Sequence, residues 1–252
     1  MIRAFLFKME DEEGMKQIIA MGGGGFSMEP DNLLLDRYVL AQVPTEMPKV
    51  CFIPTASGDA DNYIERFYHS FRTLPCRPSH LSLFNPNFHE LASYVLEHDI
   101  IYVGGGNTRN MLVLWREWGL DAILKEAYAR GVILTGLSAG SNCWFAEGIT
   151  DPINAPLYTL RGLGLLEGSH CPHYDGDSER RPSYQRLIQS GEAQSGYAAD
   201  DGAALHFIDE RLERVVSSRE TARAYYVKQE GNMVNEQEMP TEYLGDEGAY
   251  LR

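Results

Sequence analysis

Short apolar runs rich in β-branched residues alternate with segments of helical spacing through the first 140 residues. The strand-like runs are QIIAM, KVCFI, SHLSLF, DIIYV and GVILTG, and stretches such as DNLLLDRYVLAQV and DNYIERFYHSF lie between them. Apolar strands separated by helices of this length are typical of parallel strands joined by crossover helices. The alternation predicts the α/β class: a three-layer, mostly parallel, doubly wound sheet with helices on both faces.

The pattern changes after about residue 155. GLGLLEGSHCPHY is strand-like, RRPSYQRLIQSG has helical spacing, and turns separate short β runs such as GAALHFID and AYYVKQ. We expect C-terminal antiparallel β-hairpins that complete the sheet. Because no linker or repeat interrupts the chain, residues 15–252 are predicted to form one domain, preceded by residues 1–14 as an N-terminal extension.

Charge and cysteine content limit the partners of the protein. The formal net charge is −14 and no dense run of Lys or Arg occurs, which argues against nucleic acid and anionic membranes as partners. No segment is apolar and long enough to predict a bilayer span, and the N-terminal residues do not predict a signal peptide. The four cysteines form no CxxC pair, so free thiols and a cytoplasmic location are expected.

The pentapeptide GLSAG at residues 136–140 matches the nucleophile elbow G-x-S-x-G. In that elbow, small neighbours allow a tight turn from a strand into a helix, and the turn presents the serine hydroxyl. The segment SNCWFAEG that follows can form a helix, whose first N–H groups, including that of Ala139, would face a developing oxyanion. Ser138 is therefore a candidate nucleophile, although a small-residue packing turn would give the same pentapeptide.

Two further glycine turns follow predicted strands. In VGGGNT, Gly105 or Gly106 could supply a second oxyanion donor, and Asn107 could cap the next helix or contact substrate. The turn at Gly22–Gly25 is neither a Walker loop nor a spaced GxGxxG, so no nucleotide site is predicted there.

A catalytic serine needs a base, and His173 in SHCPHYDGD is the first choice among the seven histidines. It follows Pro172 at the end of a strand-like run, whereas His170 lies further back in that run and His206 lies within a hairpin pattern. The other histidines occupy segments where surface or packing roles are expected, namely His69, His80, His89 and His98.

An acid is needed to orient the histidine and to stabilise its charged form. Asp200 and Asp201 in YAADDGAAL stand at a predicted strand end, and Asp151 in GITDPINAP is the rival. With Asp201 as the acid, the order along the chain is Ser, His, acid, unlike that of the α/β-hydrolases.

Together VGGGNT, GLSAGSN, a PH pair after the elbow and DDGAAL resemble the peptidase E family, which comprises the aspartyl dipeptidases and their cyanophycinase relatives. The resemblance covers the chain from Met15 to about Tyr226. It implies a fold similar to class I glutamine amidotransferases, with serine in place of the elbow cysteine. It also implies hydrolysis of small peptides through an acyl-enzyme.

Carried over by position, the resemblance makes Ser138 the nucleophile and His173 the base. Asp201 matches the position where the family often has glutamate, and Asp151 matches a second acidic residue considered in the family. The VGGGNT turn matches the oxyanion and substrate loop. No cofactor and no metal ion is implied.

The aspartyl dipeptidases bind the substrate aspartate through an arginine after the histidine, for which Arg180, Arg181 and Arg186 are candidates. Substrate preference is left open, as is oligomeric state, with a homodimer as one candidate assembly. An esterase, another acyl hydrolase, or a non-catalytic binding protein with the same fold are the alternatives to a peptidase.

Overall fold

A computed structural model describes residues 15–151 and 156–245 of the chain. The extension predicted for residues 1–14 lies outside the described residues, and the single domain over residues 15–252 stays a prediction. None of the helices in the described ranges is both long enough and apolar enough to cross a membrane.

The described residues form fourteen strands and eight helices. The strands are β1 (Gln17–Met21), β2 (Lys49–Ile53), β3 (Arg77–His80), β4 (Ile100–Val103), β5 (Ile133–Leu137), β6 (Phe145–Thr150), β7 (Tyr158–Arg161), β8 (Leu166–Cys171), β9 (Gly196–Ala199), β10 (Ala203–Ile208), β11 (Arg211–Ser217), β12 (Ala224–Glu230), β13 (Met233–Glu238) and β14 (Thr241–Tyr243). The helices are α1 (Gly25–Met28), α2 (Leu34–Leu40), α3 (Asp61–Phe71), α4 (Leu91–Leu96), α5 (Thr108–Trp118), α6 (Leu120–Ala129), α7 (Ala139–Asn142) and α8 (Arg180–Ser190).

The larger sheet has eight strands in the order β14-β11-β10-β1-β5-β4-β2-β3. Its five N-terminal strands, β1 to β5, run parallel, and β10 joins β1 in the antiparallel sense. The predicted mostly parallel sheet of the α/β class is thereby confirmed. All five parallel strands end at the same edge, which is where α/β proteins place their sites.

Helices cover both faces of this sheet, as predicted. Alternate residues of β1 point to opposite faces, so Ile18 packs with Trp115 of α5 while Ile19 packs with Phe67 of α3. Helices α1 to α3 cover one face and helices α4 to α6 the other. Gly119, in the left-handed conformation at φ 69°, separates α5 from α6.

The C-terminal hairpins divide between two sheets instead of completing one. Strands β10 and β11 extend the larger sheet, but β12 and β13 belong to a second sheet in the order β13-β12-β9-β8-β6-β7. Phe145 of β6 and Leu166 of β8 pack in the same core cluster as Phe207 of β10. The alternation of apolar residues identifies a strand, but the choice of partner strand depends on which apolar faces meet in three dimensions.

Two predicted elements differ in length from the observed ones. The segment SNCWFAEG was expected to continue a helix, but α7 has one turn and the chain enters β6 at Phe145. Phe145 is fully buried, and the Asn142 side-chain amide donates to the Ile149 carbonyl at 2.9 Å, which ties the short helix to the strand after it. In SHLSLF, strand β3 ends at His80, before the apolar residues.

Candidate active site

Ser138 occupies a strained turn between β5 and α7. Its backbone angles are φ 56° and ψ −114°, in a region that L-residues rarely adopt and that costs of order 1–3 kcal/mol. A Cβ on Gly136 would lie 2.6 Å from the Val103 carbonyl oxygen, and one on Gly140 would lie 2.1 Å from the same atom. The glycines of the G-x-S-x-G pattern are thus required because α7 packs directly on the backbone of β4.

Hydrogen bonds to the Ser138 carbonyl hold this turn. The carbonyl accepts from the Ser141 hydroxyl at 2.8 Å and from the backbone N–H groups of Ser141 and Asn142. The Ser141 hydroxyl also lies 3.1 Å from Nε2 of His170, which is fully buried and stacks on Phe145. Burial lowers the pKa of His170 to about 3, so the ring is neutral at physiological pH.

The direction of each hydrogen bond between Ser138, Ser141 and His170 follows from the contacts. Because Ser141 donates its proton to the Ser138 carbonyl, its oxygen is left to accept from Nε2 of His170 in the tautomer that carries the proton there. His170 therefore stabilises the elbow through its contact with Ser141. In the sequence, His170 precedes His173 in the same strand-like run, and no pattern there indicates the contact with Ser141.

His173 and Asp201 form a close pair. The Nδ1 atom of His173 lies 2.5 Å from Oδ1 of Asp201, and both side chains are largely buried. Burial by itself would raise the pKa of Asp201, but the hydrogen bond and charge of His173, together with Arg219 and Arg180, lower it below its usual value. Asp201 is therefore ionised at neutral pH and holds the His173 ring with its proton on Nδ1.

The other two acidic candidates lie elsewhere. Asp151 is 48% exposed and its carboxylate lies 3.5 Å from the Arg180 guanidinium. Asp200 accepts the backbone N–H of Arg223 at 2.9 Å, and burial raises the pKa of this carboxyl to about 6. The structure thus brings Asp201 to His173, and neither Asp200 nor Asp151 makes that contact.

The three segments that carry Ser138, His173 and Asp201 all attach to the end of β1. The Ser138 N–H donates to the Met21 carbonyl and the His173 N–H donates to the Gly22 carbonyl, both at 3.3 Å. Gly202, which follows Asp201, donates to the Gly23 carbonyl at 3.1 Å. Three consecutive carbonyls thereby align the candidate triad. Sequence reasoning missed this role of the turn, although the four glycines after the first strand were a signal of close backbone approach.

The VGGGNT turn lies beside the elbow. A Cβ on Gly105 would lie 3.3 Å from Cβ of Ser138, so the two turns are in contact. The Gly105 N–H donates to the Tyr63 hydroxyl at 3.1 Å, whereas the N–H groups of Gly106 and Ala139 make no hydrogen bond to any described residue. Of the two glycines, Gly106 is therefore the one whose N–H is not engaged by a described residue. Asn107 caps α5 by accepting the Asn110 N–H at 2.9 Å.

The remaining histidines serve the structure or lie on the surface. His80 pairs with Tyr68, His98 with Ser79, and His206 with Tyr38, each at 2.7–2.8 Å. His69 and His89 are exposed.

The three arginines considered for an acidic substrate all have partners in the protein. Arg180 contacts Asp151, Asp177 and the carbonyl of Pro172, Arg181 pairs with Glu236, and Arg186 donates to Ser183. Sequence reasoning missed Arg219, which bonds to Glu29 at 2.7 Å and whose charge contributes to the low pKa of Asp201. It comes from a turn after β11 that carries no recognisable motif.

Comparisons with known proteins find relatives among peptidases. The family model described as "Peptidase family S51" matches residues 18–215. The uncharacterized peptidase YgaJ of Bacillus subtilis strain 168 is 62% identical over 231 residues, which cover 92% of this chain and 100% of that protein.

Two solved structures share the fold. A peptidase from an acI-B1 Actinobacterium has a TM-score of 0.63 at 18% identity, covering 91% of this chain and 96% of that one. A protein described as a peptidase E from Listeria monocytogenes EGD-e has a TM-score of 0.56 at 19% identity, covering 90% of this chain and 100% of that one. With the family model spanning most of the sequence, the chain belongs to peptidase family S51, the peptidase E family, and is a serine-type peptidase.

Proposed function

We propose that this peptidase hydrolyses small peptides through an acyl-enzyme on Ser138, with His173 as general base and Asp201 as the acid that orients it. The observation that carries the proposal is the 2.5 Å hydrogen bond between His173 and Asp201, held at the same strand end as a strained elbow serine. A histidine held by a carboxylate in this way can activate the hydroxyl of a serine within its reach for attack on a carbonyl.

Each residue has a defined part in the proposed reaction. Asp201 keeps the His173 proton on Nδ1, so Nε2 is free to take the proton of Ser138 as its Oγ attacks the peptide carbonyl. The N–H groups of Gly106 and Ala139 hold the oxyanion of the tetrahedral intermediate. His173 then gives its proton to the leaving amine, and the C–N bond breaks. Water, deprotonated by His173, cleaves the ester on Ser138 in the second half of the cycle.

Dipeptides with an N-terminal aspartate are the finer substrate proposal. A carboxylate substrate approaching a protein of net charge −14 needs a local cation. Arg219 and Arg180 lie within electrostatic reach of Asp201, but each is already paired, Arg219 with Glu29 and Arg180 with Asp151 and Asp177, so an acidic substrate would have to compete with these carboxylates. We place the activity in the cytoplasm because all four cysteines are buried free thiols, which fits a reducing compartment.

Labelling with a fluorophosphonate probe, read by intact mass, tests the catalytic assignment. Wild type should gain one adduct, Ser138→Ala should gain none, and labelling of His173→Ala and Asp201→Ala should slow by at least about 100-fold. Asp151→Ala is the matched control, because it removes the rival carboxylate without touching His173, and its labelling rate should equal that of wild type. Loss of labelling in Asp151→Ala but not in Asp201→Ala would assign the acid to Asp151.

Turnover of dipeptides tests the substrate assignment. Asp-Leu, Asn-Leu and Ala-Leu should be compared with an ester of the same acyl group on one preparation. Hydrolysis of the dipeptides, fastest for Asp-Leu and lost in Ser138→Ala, is the expected result. Turnover of the ester alone would make the protein an esterase, and binding of dipeptides with neither labelling nor turnover would make it a binding protein.

A further inference from the structure

We propose that Gly23 is a positioning residue of the active site: its lack of a side chain lets Asp201 reach His173. This inference rests on the proposed function. A Cβ built on Gly23 would lie 2.0 Å from Oδ1 of Asp201, far inside contact distance. That oxygen is the one that lies 2.5 Å from Nδ1 of His173. An alanine at position 23 and the observed Asp201 conformer cannot coexist.

The neighbouring glycines are required for different reasons. A Cβ on Gly22 would meet backbone atoms, the carbonyl oxygens of Ala199 at 2.3 Å and of Asp200 at 2.4 Å, so a side chain there would disturb the fold. Gly24 has φ 100°, a conformation that disfavours any L side chain. Gly23 has no positive φ, and its closest obstacles are the ends of two side chains, Asp201 and Met28.

This difference predicts how the molecule would accommodate alanine at position 23. Rotation of the Asp201 side chain to another rotamer would relieve the clash, while the backbone contacts around it need not change. The Gly202 N–H would still donate to the Gly23 carbonyl, and the His173 N–H to the Gly22 carbonyl. The carboxylate would therefore leave His173 while the fold stays intact. The glycine turn after β1, which has no nucleotide-binding pattern, thus acquires a role in catalysis.

The expected result for Gly23→Ala is a fall in kcat of at least about 100-fold with KM changed by less than about 3-fold, because substrate contacts remain while the histidine loses its orienting partner. Its urea midpoint should fall no further than that of Asp201→Ala, which loses the same hydrogen bond. Gly191→Ala is the control for glycine replacement away from the site: nothing lies within 4 Å of a Cβ there, and the strain at its φ of 76° acts on the fold alone. Its kcat should equal that of wild type.

A double-mutant cycle with Asp201→Ala tests the mechanism of the effect. The Asp201→Ala substitution removes Oδ1, the atom with which the Cβ of an alanine at position 23 would clash. Gly23→Ala should therefore change kcat by less than about 3-fold in the Asp201→Ala background. If Gly23 served only the fold, the two losses would multiply, and the inference would be overturned.

Proton NMR gives a readout that does not depend on turnover. The short His173–Asp201 hydrogen bond should give a low-field Nδ1 proton signal in wild type and Gly191→Ala, and the signal should vanish in Gly23→Ala and Asp201→Ala. A full signal with full activity in Gly23→Ala would overturn the inference and leave the proposed function standing. Normal activity of Asp201→Ala would instead overturn the acid assignment in the proposed function.

The cycle also covers the case in which Gly23→Ala does not fold. Folding of the double variant Gly23→Ala, Asp201→Ala would then show that the clash with Asp201 is the cause, which supports the inference. If the double variant also failed to fold while Asp201→Ala folded, the glycine would be needed by the backbone alone and the inference would be wrong.

Discussion

At the scale of single residues, two ionisable side chains are buried in the protein, His170 next to the elbow and Asp36 next to Tyr102 of β4. Ser141 joins the neutral His170 ring to the carbonyl of Ser138. Asp36 is fully buried, accepts the Tyr102 hydroxyl at 3.1 Å, and has a second oxygen with no hydrogen-bond partner in the described part of the chain. Both groups are costly to bury, so each makes a prediction about stability.

Replacing Ser141 with alanine should weaken both the fold and the elbow. The change leaves the buried N–H of His170 without a partner and should cost about 1–3 kcal/mol in the free energy of unfolding. Because the Ser138 carbonyl loses one of its donors, labelling by a fluorophosphonate should slow as well. Urea unfolding and the labelling rate measure the two effects.

Ser79→Ala is the matched control for Ser141→Ala. Ser79 also contacts Nε2 of a buried histidine, His98, although there Nε2 accepts because Nδ1 donates to the Tyr94 carbonyl, and Ser79 is on β3, away from the elbow. It should lose stability while its labelling rate equals that of wild type. Equal labelling of both variants would show that Ser141 does not support Ser138.

Asp36 should make the protein less stable as the pH rises. Burial raises its pKa from 3.8 to about 7, partly offset by the Tyr102 hydrogen bond, so the unfolded chain releases this proton at a lower pH than the folded protein does. The stability that the neutral carboxyl contributes is fully present below about pH 4 and is lost as the pH rises to about 7.

Asp36→Asn should remove that pH dependence. At pH 8 the variant should exceed wild type in the free energy of unfolding by an amount on the order of a few kcal/mol, and the difference should shrink toward pH 4. Asp59→Asn is the contrasting control: its buried carboxylate oxygen accepts from Ser82, Leu83 and Phe84, so the substitution should destabilise. Urea titrations between pH 4 and 8 measure both, and a flat difference for Asp36→Asn would contradict the assignment.

At the scale of elements, the site depends on a one-turn helix that packs against a strand without intervening side chains. Helix α7 lies on β4 so closely that both flanking glycines of the elbow face the Val103 carbonyl. Such contact leaves no room for adjustment, because the obstacle is backbone and belongs to the central part of the sheet.

Gly140→Ala should therefore cost several kcal/mol, since its Cβ would lie 2.1 Å from the Val103 oxygen and 2.7 Å from its carbonyl carbon. Gly119→Ala, between α5 and α6, should cost only about 1–2 kcal/mol, because it is strained at φ 69° but meets no atom within 4 Å. Thermal unfolding compares the two. Similar losses for both variants would show that α7 can move away from β4.

At the scale of the whole molecule, the protein carries a net charge of −14. At the site, by contrast, Arg219 and Arg180 lower the pKa of Asp201. The long-range field repels an anionic dipeptide. Salt screens that field, because the Debye length falls from about 30 Å at 0.01 M to about 8 Å at 0.15 M ionic strength. The contacts of Arg219 with Glu29 leave little uncompensated positive charge at the site.

The value of kcat/KM for Asp-Leu should thus rise about two-fold or more between 0.01 M and 0.15 M salt, while that for Ala-Leu stays nearly constant. Steady-state kinetics over this range measure the effect. A fall for Asp-Leu would show that local arginines, and not the net charge, dominate the approach of the substrate.

The sequence by itself determined the α/β class, the first five strands with their helices, and the identity of the elbow turn. These features depend on local patterns: apolar periodicity, glycine at turns, and small residues around Ser138. The choice of His173 also came from the chain, through its place at a strand end.

Only the tertiary structure decided which strands form the second sheet, which acid meets His173, and which glycine N–H is available. Asp151, Asp200 and Asp201 are all acidic residues at strand ends, and they differ only in where the folded backbone places their side chains: against Arg180, the Arg223 N–H and His173, respectively. The Gly105 N–H is occupied by Tyr63, which lies 42 positions earlier in the chain. Contacts between residues so far apart depend on packing of the whole sheet, and no local pattern records them.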